Sequence, residues 1–512
     1  MHPSQPGDFP GTDGRPTYFF SRWLFLKVLA LVYFTAFGSL WLQVDGLIGE
    51  KGILPAATFL GELRAQWGPA AFWFIPTLCW ADAGNGFLHF LCGGGLALSL
   101  LLFFGAAPAL CLALLWVFYL SLVSVGQDFL GFQWDNLLLE AGLLAVFATP
   151  LQSWLRRGDR RQALPAPVFF LFQWLLFRLM FGSGLVKLTS GDPTWRNLTA
   201  LDFHYWTQPL PPITAWFMSQ LPDWFQKLSC LYLFGVELLA PFLVFGPRKL
   251  RPAAFLLLAS LQLFILLTGN YCFFNYLALG LCLFVLEDAV WPGWFKRWWD
   301  SPSKPGTPSK TPVFRWPSWA IATFVGAGLY MTGLQMSSSA GLRIPWPGWM
   351  IGIYRALDPL RSFNSYGLFA VMTTSRPEIT VEGSNDGADW KPYGFKWKAG
   401  DLDRAPRFVA PYHPRLDWQM WFAALGSQRE NPWFGNFLIR LLQGSPDVLG
   451  LLGSNPFPQS PPRFIRAQVY DYRFTTFAEK SGTGNWWKSE YHGPYSRPFS
   501  LDQVDWKGPG PN

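Results

Sequence analysis

Charge is scarce in this sequence. Asp, Glu, Lys and Arg make up 14% of its 512 residues, where soluble domains carry about 25%. That shortage argues against a purely soluble chain. The 18% of aromatic residues excludes a disordered one. Cysteine is sparse as well. Cys79, Cys92, Cys111, Cys230, Cys272 and Cys282 form no Cys-x-x-Cys pair, and none lies in the C-terminal third. That leaves no zinc motif and no disulfide framework for that third. No basic-aromatic module accompanies the net charge of +8, so nucleic acid is not an expected partner. A cleavable signal peptide is not apparent either. The first 22 residues are polar and rich in proline and glycine, and the apolar run that follows is too long for a signal h-region. It reads as a signal anchor.

What the sequence has is long apolar runs, concentrated before residue 340. A helix needs about 20 mainly apolar residues to cross the hydrocarbon core. Nine runs qualify as candidate spans: 23–44, 87–104, 107–123, 136–151, 167–187, 227–245, 252–268, 273–291 and 318–336. The stretch 70–80 is apolar but short, which suits a re-entrant or interfacial segment. Membrane lipid is therefore an expected partner.

The connections test this layout. With the N-terminus in the cytoplasm, the cytoplasmic connections carry Arg156, Arg157, Arg160 and Arg161, then Arg248, Lys249 and Arg251, then Lys296, Arg297, Lys304, Lys310 and Arg315. The opposite connections carry only Lys51, Arg64 and Arg196. This is the asymmetry of the positive-inside rule. The expected plan is a cytoplasmic tail (1–22), a transmembrane bundle (23–291), a Ser/Pro/Lys-rich cytoplasmic linker (292–317), a last transmembrane helix (318–336) and an extracytoplasmic domain (346–512).

Beyond residue 346 the texture changes. Glu378-Ile379-Thr380-Val381-Glu382 alternates at period two, Asn385-Asp386-Gly387 signals a turn, and Tyr393, Phe395 and Trp397 alternate again. That pattern predicts a hairpin. Tyr470, Tyr472 and Phe474 predict a third strand. Between them, Trp418, Trp421 and Phe422 share one helical face. Asn431-Pro432 and Ser445-Pro446 each read as a cap followed by proline at the first helical position, and Gly444 closes the first of these helices. The fold expected is an α-helical multi-pass membrane bundle of about nine spans plus a C-terminal mixed α/β domain with an antiparallel aromatic sheet.

Charges inside a bilayer are costly and therefore informative. Arg178 and Glu237 both fall near mid-span, and the simplest expectation is an intramembrane ion pair between them. Lys187 ends the run Phe181-Gly182-Ser183-Gly184-Leu185-Val186-Lys187-Leu188 at the outer face. Two readings stand: a snorkelling interfacial lysine, or a partly desolvated lysine able to act as a base. The outer loop after it holds His204, Tyr205 and Gln208. A lone histidine is no zinc site, so neither metal nor cofactor is expected. At the outer end of the fourth run, Gln133-Trp134-Asp135-Asn136-Leu137-Leu138-Leu139-Glu140 places Asp135, Asn136 and Glu140 beside that loop, with Asp135 a candidate helix cap.

Together these stretches resemble the lipase maturation factor family. The resemblance rests on Gln133-Trp134-Asp135 with Leu137-Leu138-Leu139-Glu140, on Phe181-Gly182-Ser183-Gly184 with Lys187-Leu188, and on Trp195 with Asn197-Leu198-Thr199-Ala200-Leu201. It continues through His204-Tyr205, Thr207-Gln208-Pro209-Leu210-Pro211, Gly269-Asn270-Tyr271 and Phe274-Asn275. In the C-terminal domain it covers Glu382-Gly383-Ser384-Asn385-Asp386-Gly387, Pro411-Tyr412-His413-Pro414-Arg415-Leu416-Asp417-Trp418-Gln419-Met420-Trp421-Phe422-Ala423-Ala424 and Trp486-Trp487. It implies a non-catalytic maturation factor that helps secreted lipases fold and assemble. It makes Arg415, Asp417, Trp418, Trp421, Trp486 and Trp487 candidate contacts for a secreted client. Trp206 stands where an acidic residue is expected, and Lys488-Ser489-Glu490 where an arginine run is expected. These departures point to a bacterial relative. The resemblance thus implies the inner membrane in a bacterium, or the endoplasmic reticulum membrane in a eukaryote. Gly184-Leu185-Val186-Lys187-Leu188 also resembles the transmembrane domain of vitamin K-dependent γ-carboxylases. That likeness implies an alternative: an intramembrane carboxylase-like enzyme with Lys187 as base and His204 beside it.

Overall fold

The structure is a computed structural model that describes residues 16–149, 151, 164–295, 316–339, 341–342 and 344–503. The arginines at 156–161, the basic residues at 296–315, the linker at 301–312 and most of the N-terminal tail lie outside the described residues.

Long apolar runs make long helices, although Pro241 interrupts the last turns of one of them. Among the described residues, six are long and apolar enough to cross a membrane: α1 (Phe19–Trp41), α2 (Asn85–Phe104), α3 (Pro108–Val125), α4 (Ala166–Thr189), α5 (Asp223–Leu243) and α6 (Arg248–Thr268). The turn from α2 to α3 shows why they stop where they do. Gly105 takes φ +89° just past the end of α2, and Pro108 opens α3, the usual glycine-out, proline-in sequence of helix ends.

Where nine spans were expected, the described residues hold six candidates by length and composition. The other three runs do form helices, but not of that kind. Gln133–Ala148 has sixteen residues, of which twelve are buried. Phe274–Val285 is shorter still, loosens into a 3-10 turn, and is buried almost throughout. A helix wrapped in protein needs no lipid-spanning length. Ser318–Ser339 is long enough, but glycine, serine and threonine dilute its apolar character.

Close packing holds the bundle together. A Cβ on Gly95 of α2 would lie 2.4 Å from the Phe37 ring of α1. A Cβ on Gly142 would meet the Tyr33 hydroxyl at 1.9 Å. The two ends of the bundle are distinct. At one end, Asp288 accepts from Phe19 and Phe20 N–H at 2.8 and 3.0 Å, and Trp316 Nε1 donates to the Thr149 carbonyl at 3.2 Å. The C-terminal domain sits at the other end.

That domain contains a four-stranded antiparallel sheet in the order β2-β1-β3-β4: β1 (Pro377–Ser384), β2 (Lys391–Pro392), β3 (Phe464–Phe474) and β4 (Trp487–Phe499). Ile379 pairs with Val469 and Val381 with Ala467. All four are buried against helices Arg415–Ala424 and Pro432–Leu442.

The hairpin expected through Trp397 is corrected as well. The second strand stops at Pro392, and Gly394 instead bridges to Ser454. The alternation of Tyr393 and Phe395 came from burial under Phe457 and Phe437, not from strand pairing. Strand β4 went unread because it is an exposed edge containing Gly493, Pro494 and Pro498, so it lacks an apolar period.

Gly142→Ala should lower thermal stability by about 1–3 kcal/mol through overpacking. Tyr33→Phe should recover most of that loss by removing the clashing hydroxyl. Unfolding midpoints of the two single variants and the double variant in nanodiscs check this.

Candidate functional site

The functional candidates fall into three buried clusters at the end of the bundle that carries the C-terminal domain.

The first cluster ties bundle to domain. Asp135 lies in the first turn of Gln133–Ala148 and Arg415 at the start of Arg415–Ala424. Both side chains are fully buried. The guanidinium grips the carboxylate at both oxygens, at 3.0 and 2.8 Å. It also donates to the Phe129 carbonyl at 2.7 Å. The Tyr119 hydroxyl donates to Asp135 Oδ1. Burial alone would weaken Arg415's hold on its proton, but Asp135 and Tyr119 more than reverse that, so its affinity is raised. Gln43 at the end of α1 accepts from Arg415 N–H at 2.9 Å and donates to the His413 carbonyl at 2.9 Å. His413 is buried against Trp134, Phe132 and Trp418.

In the second cluster, Arg178 of α4 pairs with Glu140 and donates to the Asn364 carbonyl at 2.6 Å. The other Glu140 oxygen accepts from the Tyr366 hydroxyl at 2.7 Å and the Asn364 N–H at 3.1 Å. The Asn136 carbonyl accepts from the Asn364 amide at 3.3 Å. The segment leading into the C-terminal sheet is thus held to the bundle.

The third cluster lines a cavity of about 70 Å³. Lys187 Nζ donates to both oxygens of Glu237, at 3.0 and 2.8 Å, and to the Ser183 carbonyl at 3.1 Å. His204 Nε2 lies 3.1 Å from the Tyr271 hydroxyl, which donates to Gln208 Oε1 at 3.0 Å. Gln208 in turn donates to the Thr268 carbonyl at 2.8 Å. Tyr205 is buried next to His204. Burial, and then the Lys187 charge, push His204 down to about 4, so its ring is neutral near pH 7.

The expected Arg178–Glu237 pair is therefore wrong. Arg178 takes Glu140 and Glu237 takes Lys187. Position along the chain does not betray the exchange, because which charges meet is set by the rotation of each helix about its axis. Lys187 is in fact buried, so it does not snorkel.

The client-contact candidates are corrected too. Arg415, Asp417, Trp418, Trp421 and Trp487 are buried and face the molecule's own interior. Asp417 accepts from the Trp397 and Lys398 N–H groups at 2.8 and 2.9 Å. Trp421 Nε1 donates to the Thr207 carbonyl of the bundle at 2.8 Å. The Trp418 ring lies 4.8 Å from Trp134, and Trp487 lies 4.4 Å from Phe474. Trp486, half-buried, is flanked by Trp216 and Lys480.

Two residues that organise the junction were not singled out. Arg376 donates to the carbonyls of Trp206, Gln208 and Pro209 and pairs with Glu378. Nothing local in the sequence marks it. Asn270 donates to the Leu210 and Arg407 carbonyls and accepts from Val409 N–H. Its place in the Gly269-Asn270-Tyr271 motif was the available signal.

These features define a class: a helical membrane protein whose C-terminal domain is keyed into one end of its bundle by buried ion pairs. The chain belongs to the lipase maturation factor family. Residues 20–293 match the lipase maturation factor transmembrane domain, and residues 362–497 match the lipase maturation factor C-terminal domain. Lipase maturation factor 2 of Gallus gallus is 37% identical, over 92% of this chain and 80% of its own length. The Homo sapiens protein of the same name is also 37% identical, over 92% and 81%. Lipase maturation factor 1 of Mus musculus is 34% identical over 98% of this chain and 90% of its own. No solved structure matches the chain. The chain is an integral multi-pass membrane protein of this family.

His204 and His413 both bind a proton less readily when folded, His204 at about 4 against an ordinary 6.5 and His413 well below it. Burial is the main cause in each case. The unfolded chain therefore takes up more protons as pH falls below 6.5, and folded stability falls with it. Thermal unfolding in nanodiscs should show this loss between pH 6.5 and about 4. The loss should be shallower in His204→Asn.

Proposed function

We propose that this protein is a membrane-anchored, non-catalytic maturation factor that assists the folding and assembly of secreted lipases, with its C-terminal domain on the extracytoplasmic face. The observation that carries this reading is the match to lipase maturation factors over 92 to 98% of the chain, through both the bundle and the C-terminal domain. The buried keying of the domain into the bundle supports it. The Asp135–Arg415 pair and the Asn364 and Tyr366 contacts to Glu140 hold the domain against the bundle, an arrangement that suits a helper offering one surface to a client.

The setting of Lys187 favours a structural role over base chemistry. A base needs a neutral amine with a free lone pair. Here the amine, although it lines the cavity, spends three donor contacts on two carboxylate oxygens and one carbonyl.

Two measurements check the proposal. In cells stripped of their own lipase maturation factors, expressing this chain with a secreted lipase should raise activity per mass of secreted lipase several-fold. An unchanged value would reject the lipase role. Lys187→Met alone leaves Glu237 buried without its partner, a loss of about 3–5 kcal/mol. Adding Glu237→Leu removes the orphaned charge and should restore both protein level and maturation activity. A catalytic base would not be restored by a second deletion.

A further inference from the structure

The C-terminal domain carries a short helix, Phe477–Thr483, with no buried residue. Its first residue is a large apolar ring that is 55% exposed. Phe477 does not stand alone. Its ring lies 4.9 Å from Trp216 and 6.3 Å from Phe217, both on the short helix Ile213–Met218 of the bundle. Phe217, Leu221 and Trp224 are likewise exposed, Trp224 at 66%. The result is one apolar patch to which bundle and domain both contribute.

Two contacts fix the level of this patch. Thr214 donates through its hydroxyl to the Leu267 carbonyl at the end of α6. Gln220 donates to the Thr475 carbonyl, just before Phe477, at 3.2 Å. Trp224 itself lies in the first turn of α5. The patch therefore sits where two spanning helices leave the apolar core. It runs directly into their outward sides, where Leu228 and Leu231 of α5 and Leu267 of α6 are exposed.

We propose that the C-terminal domain itself touches the bilayer, with helix Phe477–Thr483 seated at the headgroup boundary and Phe477 and Trp224 inserted among the upper acyl carbons. The occupant is the phospholipid surface, because the patch is continuous with helix faces that lipid must already cover. Aromatic rings at the ends of spanning helices sit at this level. Lys480, on the same short helix, carries its ammonium 3.8 Å over the Trp486 ring, a cation at the level proposed for the phosphates.

All six native cysteines are buried, so single surface cysteines can be labelled selectively on the full chain. The test places an environment-sensitive fluorophore at Phe477→Cys, at Trp224→Cys and, as a control, at Asp389→Cys, whose native side chain is 69% exposed. The protein is held in phosphatidylcholine nanodiscs containing a lipid nitroxide near the headgroup. The labels at 477 and 224 should emit further to the blue than the label at 389 and be quenched at least about three-fold more strongly, as for groups at the interface. Equal, weak quenching at 477 and 389 would overturn the proposal. So would a blue-shifted but unquenched label at 477 in discs holding two chains, which would show that a second copy covers the patch. Quenching at 224 without quenching at 477 would overturn it for the domain.

Discussion

The Asp135–Arg415 pair sets the terms for the rest of the molecule. Both side chains are fully buried, and they lie 280 residues apart in sequence. Two charges are held out of water most readily where their geometry is close and further hydrogen bonds take up their polar atoms. Here the grip is double, Tyr119 completes the carboxylate, and Phe129 offers its carbonyl. Replacing either partner alone would leave the other charge buried without its counterpart. The pair therefore couples the domain to the bundle across their shared core.

The surrounding contacts follow from that constraint. Gln43 braces the backbone on either side of Arg415. Gly46 is free of a Cβ because the Asp447 carbonyl of the domain lies where one would be, at 2.4 Å. Arg376 and Asn270 satisfy backbone carbonyls that would otherwise be buried unpaired between the two parts, a cost of about 1–3 kcal/mol each. The buried core runs without interruption from α1 to the C-terminal sheet. The C-terminal domain is thereby held in one fixed position against the end of the bundle.

Much of this was legible in the residues. Hydropathy located the six candidate spanning helices among the described residues, and alternation located β1 and β3. Asn431-Pro432 and Ser445-Pro446 marked the starts of two helices that begin at those positions. The motif residues around Asp135, Lys187, His204 and Arg415 were singled out as well. What stayed hidden was which of them meet. Hydropathy ranks a residue's surroundings along the chain, whereas ion pairing depends on the rotation of each helix about its axis. Arg178 chose Glu140 over Glu237 for that reason. Tryptophans read as contact surface proved to be core, because a domain that shares its core with a membrane bundle buries the face a free domain would show. Gln133–Ala148 and Phe274–Val285 look like spans in sequence because apolar composition does not separate lipid from protein as the covering medium.

The most direct test of this account is hydrogen exchange on the full chain in nanodiscs, comparing the natural protein with Arg415→Met. If the buried pair unites domain and bundle, protection should fall together in β1, in β3 and in the Gln133–Ala148 helix that carries Asp135. Protection lost in the sheet alone, with that helix unchanged, would mean that two independent units merely touch, and would contradict the account.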